Sequence, residues 1–225
     1  MWLVSCLKDR EPRIIMKSEP ERLIEGAGAM AIALDAAQAA RLLRLLDELA
    51  HWNRTYNLTA ITSRESMISA HLLDSLAAQP DLSGQRIADV GTGAGFPGLP
   101  LAVVEPQRQF TLIDSVAKKI RFVNHAARVL GLSNVVALQA RVETLSPDTP
   151  FSTVIARAYA ALPDLLGSVR GLCGADTRVV ALKGRYPQDE LSELPRGWRL
   201  AQVRRLTIPG LEAERHSLSF ALQPA

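Results

Sequence analysis

From Asp35 onward the chain moves between two hydrophobic rhythms. Leu42, Leu45, Leu46, Leu49 and Trp52 recur at steps of three and four, with Arg41, Arg44, Asp47 and Glu48 between them, which predicts an amphipathic helix. Ser63 reads as the cap of a second helix, with Ser66 where a capping-box glutamate would sit; Pro80 ends that helix after Gln79, and residues 81–84 form a linker. Past Gly84 short apolar runs over residues 86–90, 109–113, 135–139, 153–156 and 178–182 alternate with helical stretches over 97–104, 116–130, 162–172 and 187–194. Such alternation with short connections predicts an α/β fold, a mainly parallel sheet covered by helices on both faces. Residues 198–208 and 216–222 are strand-like and are joined through Pro209 and Gly210 with no helix between them, so they are expected to pair antiparallel and close one edge. Residues 1–34 hold no sustained period and are expected to form a poorly ordered leader, in which Met16 and Met30 are alternative starts. The expected organisation is a leader over 1–34, a helical cap over 35–84 and an α/β domain over 85–225.

Composition adds exclusions. A chain of 225 residues with 48% hydrophobic and 22% charged positions is ordinary globular material, enough for one full domain and an appendage. Its two cysteines, Cys6 and Cys173, form no C-x-x-C spacing and its four histidines share no ligand spacing, so no metal site is expected. That pattern suits a reducing cytoplasm. The apolar stretch over residues 26–40 is broken by Asp35 and Gln38 and is too short to span a bilayer, and residues 2–7 lack a basic flank, so neither a membrane partner nor a signal peptide is expected. Charge is uneven: residues 1–84 carry 9 basic against 11 acidic side chains, and residues 85–225 carry 17 against 12. An isoelectric point near 9.1 permits a nucleic-acid partner, while only 5% aromatic residues argues against an extended stacking platform.

The strongest local signal runs from Asp89 to Gly98, Asp-Val-Gly-Thr-Gly-Ala-Gly-Phe-Pro-Gly, directly after the first predicted strand. Gly93, Gly95 and Gly98 satisfy the dinucleotide spacing G-x-G-x-x-G. Gly91, Gly93 and Gly95 satisfy instead G-x-G-x-G after an acid, the first motif of class I S-adenosylmethionine methyltransferases. A pyrophosphate gains nothing from the Asp89 carboxylate, whereas S-adenosylmethionine carries an ammonium group, so Asp89 is expected to serve the cofactor directly or through water. Asp114, ending the next strand, is placed for ribose hydroxyls and fits either cofactor. A bulky side chain at Gly93 is expected to close the approach of ligand to backbone.

Two further stretches carry a resemblance. His51-Trp52-Asn53-Arg54-Thr55-Tyr56-Asn57-Leu58-Thr59-Ala60 and His71-Leu72-Leu73-Asp74-Ser75-Leu76, with the glycine loop, Leu112-Ile113-Asp114-Ser115, Lys118-Lys119-Ile120-Arg121-Phe122, Arg141-Val142-Glu143, Val154-Ile155-Ala156-Arg157-Ala158 and Leu182-Lys183-Gly184, resemble the bacterial 16S rRNA (guanine-N7)-methyltransferases, also called glucose-inhibited division protein B. The resemblance covers residues 35–225. It implies a class I methyltransferase domain behind a helical cap, and methyl transfer from S-adenosylmethionine to N7 of one guanine in 16S rRNA, position 527 in the usual rRNA count, within a small-subunit particle. Carried over residue by residue, it implies cofactor contacts at Gly91, Phe96, Val142, Glu143 and Arg157; Phe96 stands where leucine is common in the family.

Guanine N7 has no proton to remove, so no catalytic base is expected. Lys118, Lys119 and Arg121 lie on a helix with no acidic residue, and Lys183 ends a strand; these four are the candidate RNA contacts. His71 and Asp74 share a helical face, and Trp52 and Tyr56 flank a turn; the resemblance implies that this segment folds over the substrate cleft, with no catalytic role assigned. The rival readings are a methyltransferase for another RNA, a protein or a small molecule, a nicotinamide-dependent oxidoreductase, and a non-catalytic cofactor- and RNA-binding assembly factor.

Overall fold

The computed structural model describes residues 17–223. Seven strands form one sheet: β1 (Arg86–Val90), β2 (Gln109–Asp114), β3 (Val135–Gln139), β4 (Phe151–Arg157), β5 (Cys173–Lys183), β6 (Trp198–Leu206) and β7 (Arg215–Leu222). Their order is β3-β2-β1-β4-β5-β7-β6. The first five are parallel, and β7 runs antiparallel between β5 and β6, so the expected mainly parallel sheet with an antiparallel edge is what the chain builds. The order reverses at β1, whose neighbours are β2 on one side and β4 on the other. Open sheets of this kind bind ligands beyond the carboxyl ends of the strands at such a reversal.

The N-terminal part is helical: α1 (Glu19–Ala29), α2 (Ala36–Tyr56), α3 (Arg64–Met67), a π-helical segment (Ile68–Leu73) and α4 (Asp74–Leu76). Asp35 starts α2 by a reciprocal cap, accepting the Gln38 N–H at 2.7 Å while the Gln38 side chain accepts the Asp35 N–H at 3.0 Å. The apolar stripe read from the sequence is the buried one: Leu42, Leu45, Leu46 and Leu49 are fully buried against the sheet's helices. The second helix departs from the expected uninterrupted span, since Ile68–Leu73 winds as a π-helix and regular α-helix ends at Leu76.

The expected leader is corrected over residues 19–34. Leu23 and Ala27 of α1 are fully buried, Ile32 and Leu34 follow them into the core, and α1 lies so close to the π-helical segment that a Cβ on Gly26 would stand 2.8 Å from Leu73. Residues 1–16, with Met16 and Cys6, lie outside the described residues. The remaining helices are α5 (Gly98–Val104), α6 (Ala117–Val129), α7 (Leu162–Ser168) and α8 (Gln188–Ser192). Among the described residues no helix is long and apolar enough to cross a membrane.

Candidate functional site

The turn after β1 carries left-handed backbone at Gly91 (φ +65°), Gly93 (φ +60°) and Gly95 (φ +86°), which the glycines permit without a Cβ clash. Two carboxylates hold it in shape. Asp89, fully buried near the end of β1, accepts the Thr92 hydroxyl at 2.6 Å and the Gly98 N–H at 2.8 Å. Asp114, ending β2, accepts the Gly93 N–H at 3.1 Å, the Val116 N–H at 2.9 Å and the Lys119 ammonium at 3.1 Å.

Beyond these strand ends lies a cavity of about 250 Å³ walled by Gly91, Asp114, Val116, Lys119, Val142, Glu143 and Tyr159. A Cβ built on Gly91 would collide with the Tyr159 ring, so the cavity keeps its shape only with glycine there. The chemistry of the wall is mixed, with the acids Asp114 and Glu143 and the basic Lys119 and Arg141 beside the aliphatic Val116 and Val142. That set suits a ligand bearing charge of both signs, hydroxyls and a flat apolar ring.

A second cavity of about 380 Å³ adjoins the first, and Ala158 belongs to both walls. Ala158 is a non-glycine residue at φ +50°, a costly conformation at the ridge between the two spaces. The second wall holds His71, Asp74, Arg157, Lys183 and Arg215. Asp74, buried at the start of α4, accepts Arg157 Nη1 at 2.9 Å and Arg215 Nε at 3.1 Å. Arg157 donates also to the Ala70 carbonyl at 3.0 Å. The Lys183 ammonium donates to the Ala160 carbonyl and to Glu190, each at 2.8 Å. His71 stacks on Phe96 with ring centroids 4.7 Å apart, and the Arg157 guanidinium lies 5.6 Å from the same Phe96 ring.

Of the candidate cofactor residues, Gly91, Asp114, Val142 and Glu143 meet at the first cavity. Phe96, Asp89 and Gly93 do not line it: Phe96 is buried beneath His71, Asp89 serves its own loop, and a Cβ on Gly93 would meet nothing nearer than the Gly91 carbonyl at 4.0 Å. Arg157 and Lys183 stand at the second cavity. Lys118 donates to the Tyr56 carbonyl at 2.8 Å, the exposed Arg121 lies 6.0 Å over the Tyr56 ring, and Lys119 turns inward to Asp114. Sequence reasoning missed Tyr159 and Arg215; the position of Tyr159 two residues after Arg157, just past β4, was the available signal for the first, and nothing local marks the second.

Two buried titrating groups give the fold a pH signature. Burial pushes the Asp89 carboxyl up from 3.8 to about 6, against the opposing pull of Thr92, Gly98 and Arg157. Between those values the folded chain keeps a proton that the unfolded chain releases, so stability falls as pH rises through the window. Burial, and then the charge of Arg157, push His71 down from 6.5 to about 4, so its contribution runs the other way and stability is lost as pH falls through that range. Asp89→Asn keeps an oxygen for the Gly98 N–H and removes the charge. The stability of this variant relative to wild type is expected to grow by about 3 kcal/mol between about pH 4 and pH 7, read from urea unfolding; a difference that does not change with pH would refute it.

The chain matches the sequence model of the family described as rRNA small subunit methyltransferase G over residues 38–218. It is 44% identical over 194 residues to the ribosomal RNA small subunit methyltransferase G of Aeromonas salmonicida, covering 86% of this chain and 93% of that one. It is 43% identical over 202 residues to the protein of the same name from Marinobacter nauticus, covering 90% and 94%. Among solved structures, a SAM dependent methyltransferase from Aquifex aeolicus superposes with a TM-score of 0.52 at 17% identity, covering 70% of this chain and 93% of that one. The ribosomal protein L11 methylase of Lactobacillus delbrueckii subsp. bulgaricus does so with a TM-score of 0.52 at 17% identity, covering 68% and 77%. At such identities these likenesses speak for the fold, a class I methyltransferase sheet with its cavity beyond the β1 reversal. With the family model matched across the cap, the glycine loop and both cavity walls, the chain belongs to the rRNA small subunit methyltransferase G family and is a methyltransferase.

Proposed function

We propose that the first cavity holds S-adenosylmethionine, that the second receives a guanine of 16S rRNA presented on a small-subunit particle in the cytoplasm, and that the chain methylates N7 of that guanine. The observation that carries this reading is the common wall: two cavities of different chemistry meet at Ala158, so that a cofactor in one and a base in the other lie side by side. The first cavity suits the cofactor, with Asp114 and Glu143 for its ammonium and ribose hydroxyls, Val116 and Val142 against its adenine, and bare backbone at Gly91. When bound, S-adenosylmethionine supplies an electrophilic methyl group on a sulfonium sulfur.

The residues need to move no proton, because N7 presents an in-plane lone pair. Their work is positioning, which is worth most when reacting atoms are held in line about 3–3.5 Å apart. The buried Asp74 carboxylate fixes Arg157 and Arg215 on the second wall, and so holds the shape of the space that the base enters. In A-form RNA N7 faces a deep, narrow groove that side chains reach poorly, so the base enters unpaired or flipped. Arg121, exposed on α6 at the end of the cap helix, with Lys118 beside it, is placed for the RNA backbone.

Radiolabelled S-adenosylmethionine incubated with this protein and purified small subunits from cells lacking it is expected to label one 16S rRNA fragment, with borohydride–aniline cleavage at 7-methylguanine. Measurable cofactor binding with no label in the particle would refute the choice of RNA and leave the cofactor assignment standing.

A further inference from the structure

The antiparallel edge of the sheet carries a row of basic side chains that starts at the second cavity. Lys183 of β5 lies opposite His216 of β7, and His216 lies opposite Arg205 of β6, so the three share one face. Lys183 stands on the wall of the second cavity, and two strand spacings, about 10 Å, separate it from Arg205 on the edge strand. The loop after β5 adjoins this row. Gly184 belongs to the cavity wall, and its carbonyl accepts a hydrogen bond from His216 Nδ1 at 2.8 Å. The Tyr186 ring meets the same imidazole edge to face, with centroids 5.8 Å apart. Such a neighbour covers one face of a ring at most, and Tyr186 remains 41% exposed. Arg185 and Arg205 are exposed and have no ion-pair partner among the described residues: Glu190 is taken by Lys183, and Glu212 and Glu214 pair with neither arginine.

Like charges opposed across neighbouring strands destabilise a sheet, so a basic row is relieved by an anion laid over it. Cations alone would suit any polyanion. The exposed aromatic ring among them narrows the choice, because unpaired bases stack on tyrosine while their phosphates meet arginine. We infer that this edge is a track for single-stranded RNA leaving the second cavity: Tyr186 stacks the unpaired base next to the target, and Arg185 and Arg205 take the adjoining phosphates. The inference rests on the methyl-transfer reading above and adds to it a second RNA contact. Helix α6, with Lys118 and Arg121, joins β2 to β3 at the other end of the strand order. RNA held at both ends would present the target base between them. Flipping that base costs its stacking on the neighbours, and a stack on Tyr186 replaces part of what the neighbour loses.

The test follows methyl transfer to small subunits from cells lacking the protein, as a function of subunit and salt concentration. Tyr186→Ala is expected to raise KM for the subunit about tenfold, the worth of one stacked base, and to lower kcat less than about threefold. Tyr186→Phe keeps the stacking ring, and its KM is expected within about twofold of wild type. Arg185→Ala combined with Arg205→Ala is expected to reduce the slope of log affinity against log salt by about 1.4, at about 0.7 for each single-strand phosphate. Affinity for S-adenosylmethionine should hold in all three, since none of these residues lines the first cavity. If melting shows Y186A unfolded, Tyr186→Leu, which keeps bulk without a ring, takes its place. A wild-type KM in Y186A, or a Y186F that loses as much as Y186A, overturns the stacked base. An unchanged salt slope in the double variant overturns the phosphate contacts. A slope that falls while Y186A binds as wild type overturns the RNA track and assigns the row to an acidic protein surface of the particle. A wild-type chain that leaves the particle unmethylated overturns the methyl-transfer reading beneath the inference, and the inference with it.

Discussion

Replacing Gly91 with valine is expected to abolish measurable binding of S-adenosylmethionine while the protein still folds. The two halves of that outcome have separate causes. Gly91 sits at φ +65°, where an L side chain is strained by about 1–2 kcal/mol, a loss that a domain of this size survives. Its Cβ would collide with the Tyr159 ring, and the ring stands on the wall of the first cavity. The clash is relieved when Tyr159 swings aside or the loop rises, and either movement deforms the space that S-adenosylmethionine is proposed to occupy. Titration calorimetry should show affinity reduced more than about 100-fold, with the melting temperature lowered by only a few degrees. Gly93→Ala is the control. It carries similar strain at φ +60° but meets nothing closer than 4.0 Å, so it is expected to cost stability and to change cofactor affinity less than about threefold. Equal losses of affinity in the two variants would show that loop strain, and not the cavity wall, governs binding.

That contrast marks what the sequence could and could not convey. The β1 strand and the acids Asp89 and Asp114 were legible because an apolar run, a glycine cluster and a second run ending in an acid are local patterns. Which glycine is packed against the cavity wall was not, since the answer depends on Tyr159, 68 positions further along the chain. Helix α1 was missed for a related reason. Gly26 and Gly28 weaken its propensity, and what holds it is packing of Leu23, Gly26 and Ala27 against residues far along the chain. The start of β5 was missed as well, because Gly174, Ala175 and Asp176 show no apolar alternation there. On α6 a basic face was legible, but the sequence does not show that Lys119 reaches back to Asp114 while its neighbour Lys118 reaches the cap.

Asp74 illustrates the same limit and carries the second large effect. Its partners lie 83 and 141 positions away, so no local spacing announces that one carboxylate holds two arginines together. It is 4% exposed, and Arg157 and Arg215 approach its two oxygens from β4 and from β7. Asp74→Ala leaves two guanidinium groups facing each other across a cavity with no anion between them. Breaking a buried pair in this way costs about 3–5 kcal/mol, and the partial exposure of both arginines, 18% and 26% of their side chains, lowers the expected loss to about 2–3 kcal/mol. Methyl transfer to the small subunit should fall at least about 100-fold, because the arginines lose their fixed positions around the proposed base site. Affinity for S-adenosylmethionine should fall less than about tenfold, since Asp74 does not line the first cavity. Asp74→Asn separates charge from shape: one oxygen still accepts from an arginine, so stability should recover by about half while turnover stays low, because the other arginine loses its anion and its fixed position. Full recovery of turnover in D74N would show that one arginine held in place is enough, and parallel loss of cofactor binding in D74A would mean that the two cavities do not separate cofactor from base.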